Sequence, residues 1–196
     1  QSMLQKPAGI SVVHGLGGGA SSHLPEITTF AKNGYAVFAY DGTGTRSSEG
    51  KGVRSLSQAA FDLDAALSFL QEDGIAGDIP LFVYGHSAGG YAAAVNSQIH
   101  PEIDGVICIS AFERPLSEMM AQAKKRAWYF AYLGYPGLSL QYHILFGMDA
   151  NRSAADALMS SGTPALIITG SQDDVVPYPV SLYASGRQAD LFNATF

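Results

Sequence analysis

The chain has 196 residues, which suits one domain at the usual ~100–200 residues per domain. Its 11 Lys+Arg against 17 Asp+Glu give a net charge of −6, and no basic run offsets it, which argues against nucleic-acid or anionic-membrane partners. Hydrophobic residues are 47% and charged residues only 14%, against a usual ~25%, so the composition is that of a packed core rather than a disordered chain.

Residues 10–13 read as a short strand and run straight into His14-Gly15-Leu16-Gly17-Gly18-Gly19. Leu24, Ile27, Phe30 and Ala31 then recur at helical spacing, with Pro25 in a first turn where its missing N–H costs little. Asn33-Gly34 is a helix stop. Residues 35–40 form a second strand that enters a Gly/Thr/Ser loop over 41–52. Ser55 and Gln58 have capping-box spacing. Leu56, Ala60, Leu63, Leu67 and Leu70 make one helical face, with Asp62, Asp64 and Ser68 on the other and Gly74 at the end. Residues 81–84 are a buried strand, followed by Gly85-His86-Ser87-Ala88-Gly89-Gly90 and an Ala-rich helix that stops at His100-Pro101. Residues 105–110 and 165–170 are two further strands.

Short apolar strands separated by helices predict an α/β fold with a doubly wound, mostly parallel sheet covered on both faces. Such sheets carry their sites at the carboxyl ends of the strands, where the loops at 14–19, 41–50, 85–90 and 170–177 would gather. Residues 113–163 break the rhythm and are rich in Met and aromatic residues, among them Trp128, Tyr129, Phe130, Tyr132, Tyr135, Tyr142 and Phe146. The expectation is a helical cap inserted in a core of 1–112 and 164–196. Cys108 is the single cysteine, which excludes an intrachain disulfide and a cysteine metal cluster. No apolar run reaches the ~18 residues of a membrane span, and Gln1 to Pro7 do not read as a signal peptide, so a cytoplasmic location is expected.

Gly85-His86-Ser87-Ala88-Gly89 fits G-x-S-x-G, a pattern that carries weight only where it joins a strand to a helix, as it does here. Flanking glycines allow a sharp turn, and Ser87 would project at a helix N-terminus that favours negative charge. With this motif in place, the sequence resembles the α/β-hydrolase superfamily, in particular its capped lysophospholipase and serine-aminopeptidase-like branch. His14-Gly15-Leu16-Gly17-Gly18 matches that family's oxyanion loop. Asp41, Gly44, Ser48, Glu49 and Gly50 match its D-x-x-G-x-x-x-S-E-G loop, and Gly170, Asp173, Val176 and Pro177 match its acid turn. The resemblance implies Ser87 as nucleophile, Leu16 and Ala88 N–H as oxyanion donors and Asp173 as the acid, with Asp174 a rival outside the motif spacing. His14, Gly15, Gly85, His86 and Gly89 would support the site. It implies a small ester substrate and no metal or organic cofactor.

The family order is Ser, then Asp or Glu, then His. The histidines are His14, His23, His86, His100 and His143, and all precede Asp173. His14 reads as structural, His23 as exposed, His100 as a helix cap, and His86 as pointing away from Ser87. His143 would have to swing in from the cap. The motifs also start too early and stop too soon for the family's sheet, so the expectation is a fold incomplete at both ends, a piece of a longer hydrolase whose histidine follows Phe196. Two other readings compete. One is an inactive hydrolase fold used for binding. The other is a dinucleotide-binding oxidoreductase, in which Gly15-Leu16-Gly17-Gly18-Gly19-Ala20 fits G-x-G-x-x-A and Asp41 takes the ribose.

Overall fold

A computed structural model describes residues 8–74, 78–188 and 194–195; the side chains of 127–130, 188, 194 and 195 lie outside that description. A six-stranded sheet is its centre, in the order β2-β1-β3-β4-β5-β6. The strands are β1 (Gly9–Val13), β2 (Ala36–Ala39), β3 (Leu81–His86), β4 (Ile103–Ile109), β5 (Ala165–Ile168) and β6 (Ala194–Thr195). Every neighbouring pair is parallel. The first five lie where the apolar runs placed them. The sixth was not expected: the tail pairs with β5 through Ala165–Ala194 and Leu166–Thr195.

Alternation along β3 explains how the helices are sorted. Leu81, Val83 and Gly85 are buried on one face, whereas Phe82, Tyr84 and His86 are half-buried on the other. The buried face meets α2 (Gln58–Glu72), α3 (Ala88–Asn96), α5 (Ala154–Ser161) and α6 (Leu182–Gln188). Leu63 and Leu67 of α2, Val95 of α3, Leu158 of α5 and Leu182 of α6 join Val83 and Ile167 in one core. Helix α3 runs through the middle, with all nine residues buried. Its small Ala and Gly side chains let neighbouring backbones approach, and the buried Asn96 amide donates to Ala60 O and Ala92 O, both at 2.9 Å.

Helices lie on both faces, as the doubly wound reading expected, but unequally. Among the described residues, the second face carries only α1 (Leu24–Lys32), whose Phe30 packs on Tyr84 with ring centroids 5.6 Å apart. Beside it, Ile10, Phe82, Ile107 and Leu166 line an apolar groove of about 470 Å³. Leu166 is 37% and Ile168 46% exposed.

The 113–163 segment divides in two. Helix α4 (Pro115–Phe146) is a single 32-residue helix with Pro136 inside it, followed by a 3₁₀ turn at Gly147–Asn151. Leu116 and Tyr142 form a small apolar cluster with Ala150, joined by Met119, Leu138 and Phe146. Helix α5 instead packs in the main core. Tyr132 and Tyr135 are exposed, and the side chains of Trp128, Tyr129 and Phe130 lie outside the described residues.

Two local expectations also change. The capping box at Ser55 and Gln58 does not form: the N-cap is Ser57, without a side-chain cap bond, and Gln58 Nε2 donates to Asp62 at 3.0 Å. Asp62 and Asp64 are not idle surface residues either. Asp62 accepts from Thr43 N (2.9 Å) and Thr43 Oγ1 (2.6 Å), pinning the loop after β2, and Asp64 meets His100.

Candidate active site

Between the end of β3 and the start of α3 the chain has one residue in which to turn, Ser87. Its backbone sits at φ 55° and ψ −116°, a region that costs an L-residue about 1–3 kcal/mol and persists only where the surroundings impose it. They do so through Ser87 N–H, which donates to Ile109 O at 2.8 Å, and Ser87 C=O, which accepts from Tyr91 N at 3.0 Å.

The glycines around it leave no room for a side chain. A Cβ on Gly85 would lie 2.2 Å from Gly89 O, and one on Gly89 would lie 2.3 Å from Val13 O. Gly90, beyond the pentad, is similarly crowded, its Cβ 3.0 Å from that of Ala111. Ala88 opens α3, so its N–H has no acceptor within the helix.

The loop after β1 closes on this turn. A Cβ on Gly15 would lie 3.4 Å from Ser87 Cβ and 3.3 Å from His86 O. Leu16 follows, exposed, on the rim of the same cleft as Ser87. His14 holds the loop from beneath. Its Nδ1 lies 2.8 Å from Gly15 O and its Nε2 2.9 Å from Gly42 N, so the imidazole donates from Nδ1 and accepts at Nε2.

Asp41 is occupied in the same way. Its carboxylate accepts from Ala20 N at 2.9 Å and Ser47 N at 3.5 Å, tying the two loops together. Those bonds use one acceptor site on each oxygen of the carboxylate.

Asp173 lies on the loop after β5. Its Oδ1 accepts from Val175 N (2.8 Å) and Val176 N (2.9 Å). Partial burial pushes its carboxyl up, but the Val176 and Val175 N–H groups, the Ser110 hydroxyl and nearby His86 outweigh burial, and its pKa falls below the ordinary carboxylate value. Asp174 is exposed, and its carbonyl accepts from Lys125 Nζ of α4.

Ser110 is a residue that the sequence did not single out. It directly follows β4, at φ 47°, with its N–H on Ile168 O at 2.7 Å. Its place at a strand's carboxyl end was the available signal.

The cleft over Ser87 has a volume of about 390 Å³. Leu16, Leu56 and Phe112 line it from the core side, Val175 from the acid loop, and Met119, Tyr142, Gln122 and Glu118 from α4. Glu118 was also not foreseen, because a lone acid in an aromatic segment reads as surface.

The histidines fall elsewhere. His86 lies on the α1 face, its ring 5.9 Å from that of His23. Its pKa is lowered, first by burial and then by His23, against the opposing pull of Asp173 and Glu26. His23 is not exposed as expected but 8% accessible, edge-on to Tyr84 at 6.1 Å. His100 bridges Asp64 and Glu102, both at 2.8 Å. His143 is exposed on α4, its Nδ1 2.7 Å from Ser139 O. Among the described residues, no group of three or more His, Cys, Asp or Glu could hold a metal ion, and no helix is long and apolar enough to cross a membrane.

A parallel sheet with a strained serine turn at the end of a central strand defines the α/β-hydrolase class. Residues 5–161 match the family described as serine aminopeptidase S33, and the chain belongs to that family of α/β hydrolases. No curated protein matches the chain. Solved structures share the fold. The chain is 20% identical to a monoacylglycerol lipase of Paleococcus ferrophilus (TM-score 0.62), covering 97% of this chain and 84% of that one. It is 18% identical to an esterase of Pyrococcus furiosus (TM-score 0.69), covering 96% and 72%. A thermophilic esterase of Thermogutta terrifontis is 17% identical (TM-score 0.65), covering 97% and 80%. The chain is thus of hydrolase type, similar in fold to esterases and lipases.

Proposed function

We propose that this is a carboxylic ester hydrolase working through an acyl-serine at Ser87. The observation that carries the reading is Ser87 at φ 55° on the wall of an apolar cleft, with Leu16 beside it. Ser87 Oγ attacks the ester carbonyl. The N–H groups of Leu16 and Ala88 receive the developing oxyanion, each worth about 3 kcal/mol in the transition state. The alcohol leaves, and water releases the acid from the acyl-enzyme. Helix α4, the part of residues 113–163 that lines the cleft, acts as the cap, and the acyl chain lies under it.

Asp173 orients the base, which the family order places on a histidine C-terminal to it. The 196 residues contain none there. Turnover on this reading needs such a base. These 196 residues by themselves are expected to give only the residual ~10³–10⁴-fold over water that survives loss of a triad member. A second reading is a hydrolase fold used for binding, since no histidine among the described residues reaches the Ser87 cleft.

The test is labelling by a fluorophosphonate, read by mass spectrometry at Ser87, together with an ester panel of varied acyl length, each with and without added imidazole. Adduct at Ser87, lost in Ser87→Ala, and ester turnover raised by imidazole are expected. No adduct and no turnover with imidazole would leave the binding fold as the better account.

A further inference from the structure

Glu118 is 4% exposed, yet it lines the Ser87 cleft. Its Oε1 accepts from Gln122 Nε2 at 2.8 Å, and Gln122 also donates to Val175 O on the acid loop. Its Oε2 is buried without a hydrogen-bond partner. A buried carboxyl oxygen left unpaired costs about 1–3 kcal/mol, and more when charged. The α4 residues around it would pack as well with an apolar side chain, since Met119 and Tyr142 already form that wall. Leu16, Val53, Leu56 and Phe112 offer apolar contact, which holds a hydrocarbon but does not discriminate polar groups; the lining also includes Arg54, which is exposed, and Ser55, whose hydroxyl accepts from Ser57 N at 3.1 Å, whereas Glu118 brings a buried oxygen without a partner.

We infer that Glu118 is the specificity-determining residue of this cleft, and that it selects an ester bearing a hydroxyl group on one of its two arms. This rests on the ester-hydrolase reading above. A hydroxyl is the matching chemistry because it both donates and accepts. It donates to the orphan Oε2 when Glu118 is ionised, and accepts from it when Glu118 is protonated. Burial pushes the Glu118 carboxyl up, with Asp173 adding to the rise and the Gln122 bond and Lys125 opposing it. An ammonium group would instead require the ionised form and would bring its own desolvation cost.

The test is binding rather than turnover, in the full chain carrying Ser87→Ala so that no ester is consumed. Two isosteric pairs are titrated by NMR: 2-hydroxyethyl hexanoate against propyl hexanoate, and propyl 3-hydroxyhexanoate against propyl 3-methylhexanoate. In at least one pair the hydroxylated ester is expected to bind about 10–100-fold more tightly. Adding Glu118→Leu abolishes that preference while the apolar esters bind as well or better. Glu118→Gln, which keeps the shape, retains part of it. Equal affinities within both pairs, a preference that survives Glu118→Leu, or no binding of any ester would overturn the inference. If Glu118→Leu does not fold, a full preference in Glu118→Gln overturns it and a reduced one supports it. Tighter binding of 2-ammonioethyl hexanoate than of the hydroxyethyl ester would overturn the choice of a neutral donor. Failure of Ser87 to take a fluorophosphonate even with added imidazole would sink the hydrolase reading and leave these affinities readable.

Discussion

At Gly89 the limit is backbone against backbone, because a Cβ there would lie 2.3 Å from Val13 O with no flexible side chain to yield. Gly89→Ala is expected to cost about 2–4 kcal/mol, seen as a lower urea midpoint. A loss below 0.5 kcal/mol would mean that β1 and α3 can separate cheaply. Asp173 is an electrostatic case. Its folded pKa lies below the unfolded one, so its contribution to stability is complete above the unfolded value of about 3.9 and disappears as the pH falls through the folded value. Asp173→Asn should therefore be less stable than wild type at pH 7, with the gap closing once the pH has fallen through the folded value. Urea titrations at both pH values check it, and a gap that persists in acid would show that the Asp173 contribution is not ionic. Ser110, at φ 47°, sits where glycine is at ease. Ser110→Gly is expected to leave stability within about 1 kcal/mol yet raise the Asp173 pKa in carboxyl NMR, because the hydroxyl bond is lost.

At the scale of elements, the loop after β2 depends on α2. Asp62 takes both the N–H and the hydroxyl of Thr43, and Gly42 N–H bonds His14 beneath the Gly15–Leu16 turn. One carboxylate on a helix thereby fixes two loops at the carboxyl edge of the sheet. Asp62→Ala leaves buried donors unpaired and is expected to cost about 2 kcal/mol, with faster amide exchange at Thr43 and Gly42. Unchanged exchange there would show that the loop holds itself. The sequence placed Asp62 on the polar face of α2 correctly by period, but period says nothing about which loop lies over that face. The same limit explains His23 and His100. Each is polar at a helix end, and each is buried because another element covers it.

Across the whole molecule, the two faces of the sheet differ. One is closed by four helices, whereas the other leaves Phe82, Ile107 and Leu166 along a groove of about 470 Å³. An apolar groove open to water is expected to bind an environment-sensitive dye such as ANS. Leu166→Glu should weaken that fluorescence several-fold and change stability by less than about 1 kcal/mol, since Leu166 is already 37% exposed. Undiminished dye binding would place the exposed apolar surface elsewhere, for example on α4, where Leu133, Leu140 and Ile144 face solvent.

The strand order in sequence, the parallel sheet and the gathering of the Gly15, Ser87 and Asp173 loops at one edge were legible from residues alone. Apolar runs, glycine spacing and the rule that parallel strands end on one side all act locally along the chain. The tertiary structure decided what no local pattern encodes. It set His86 beside His23, paired Asp41 with backbone N–H groups, and brought Ser110 to Asp173. It also buried Glu118 with one oxygen unpaired. Those facts depend on which surfaces meet, and residues far apart in the chain meet only when the whole sheet and its helices have closed around one core.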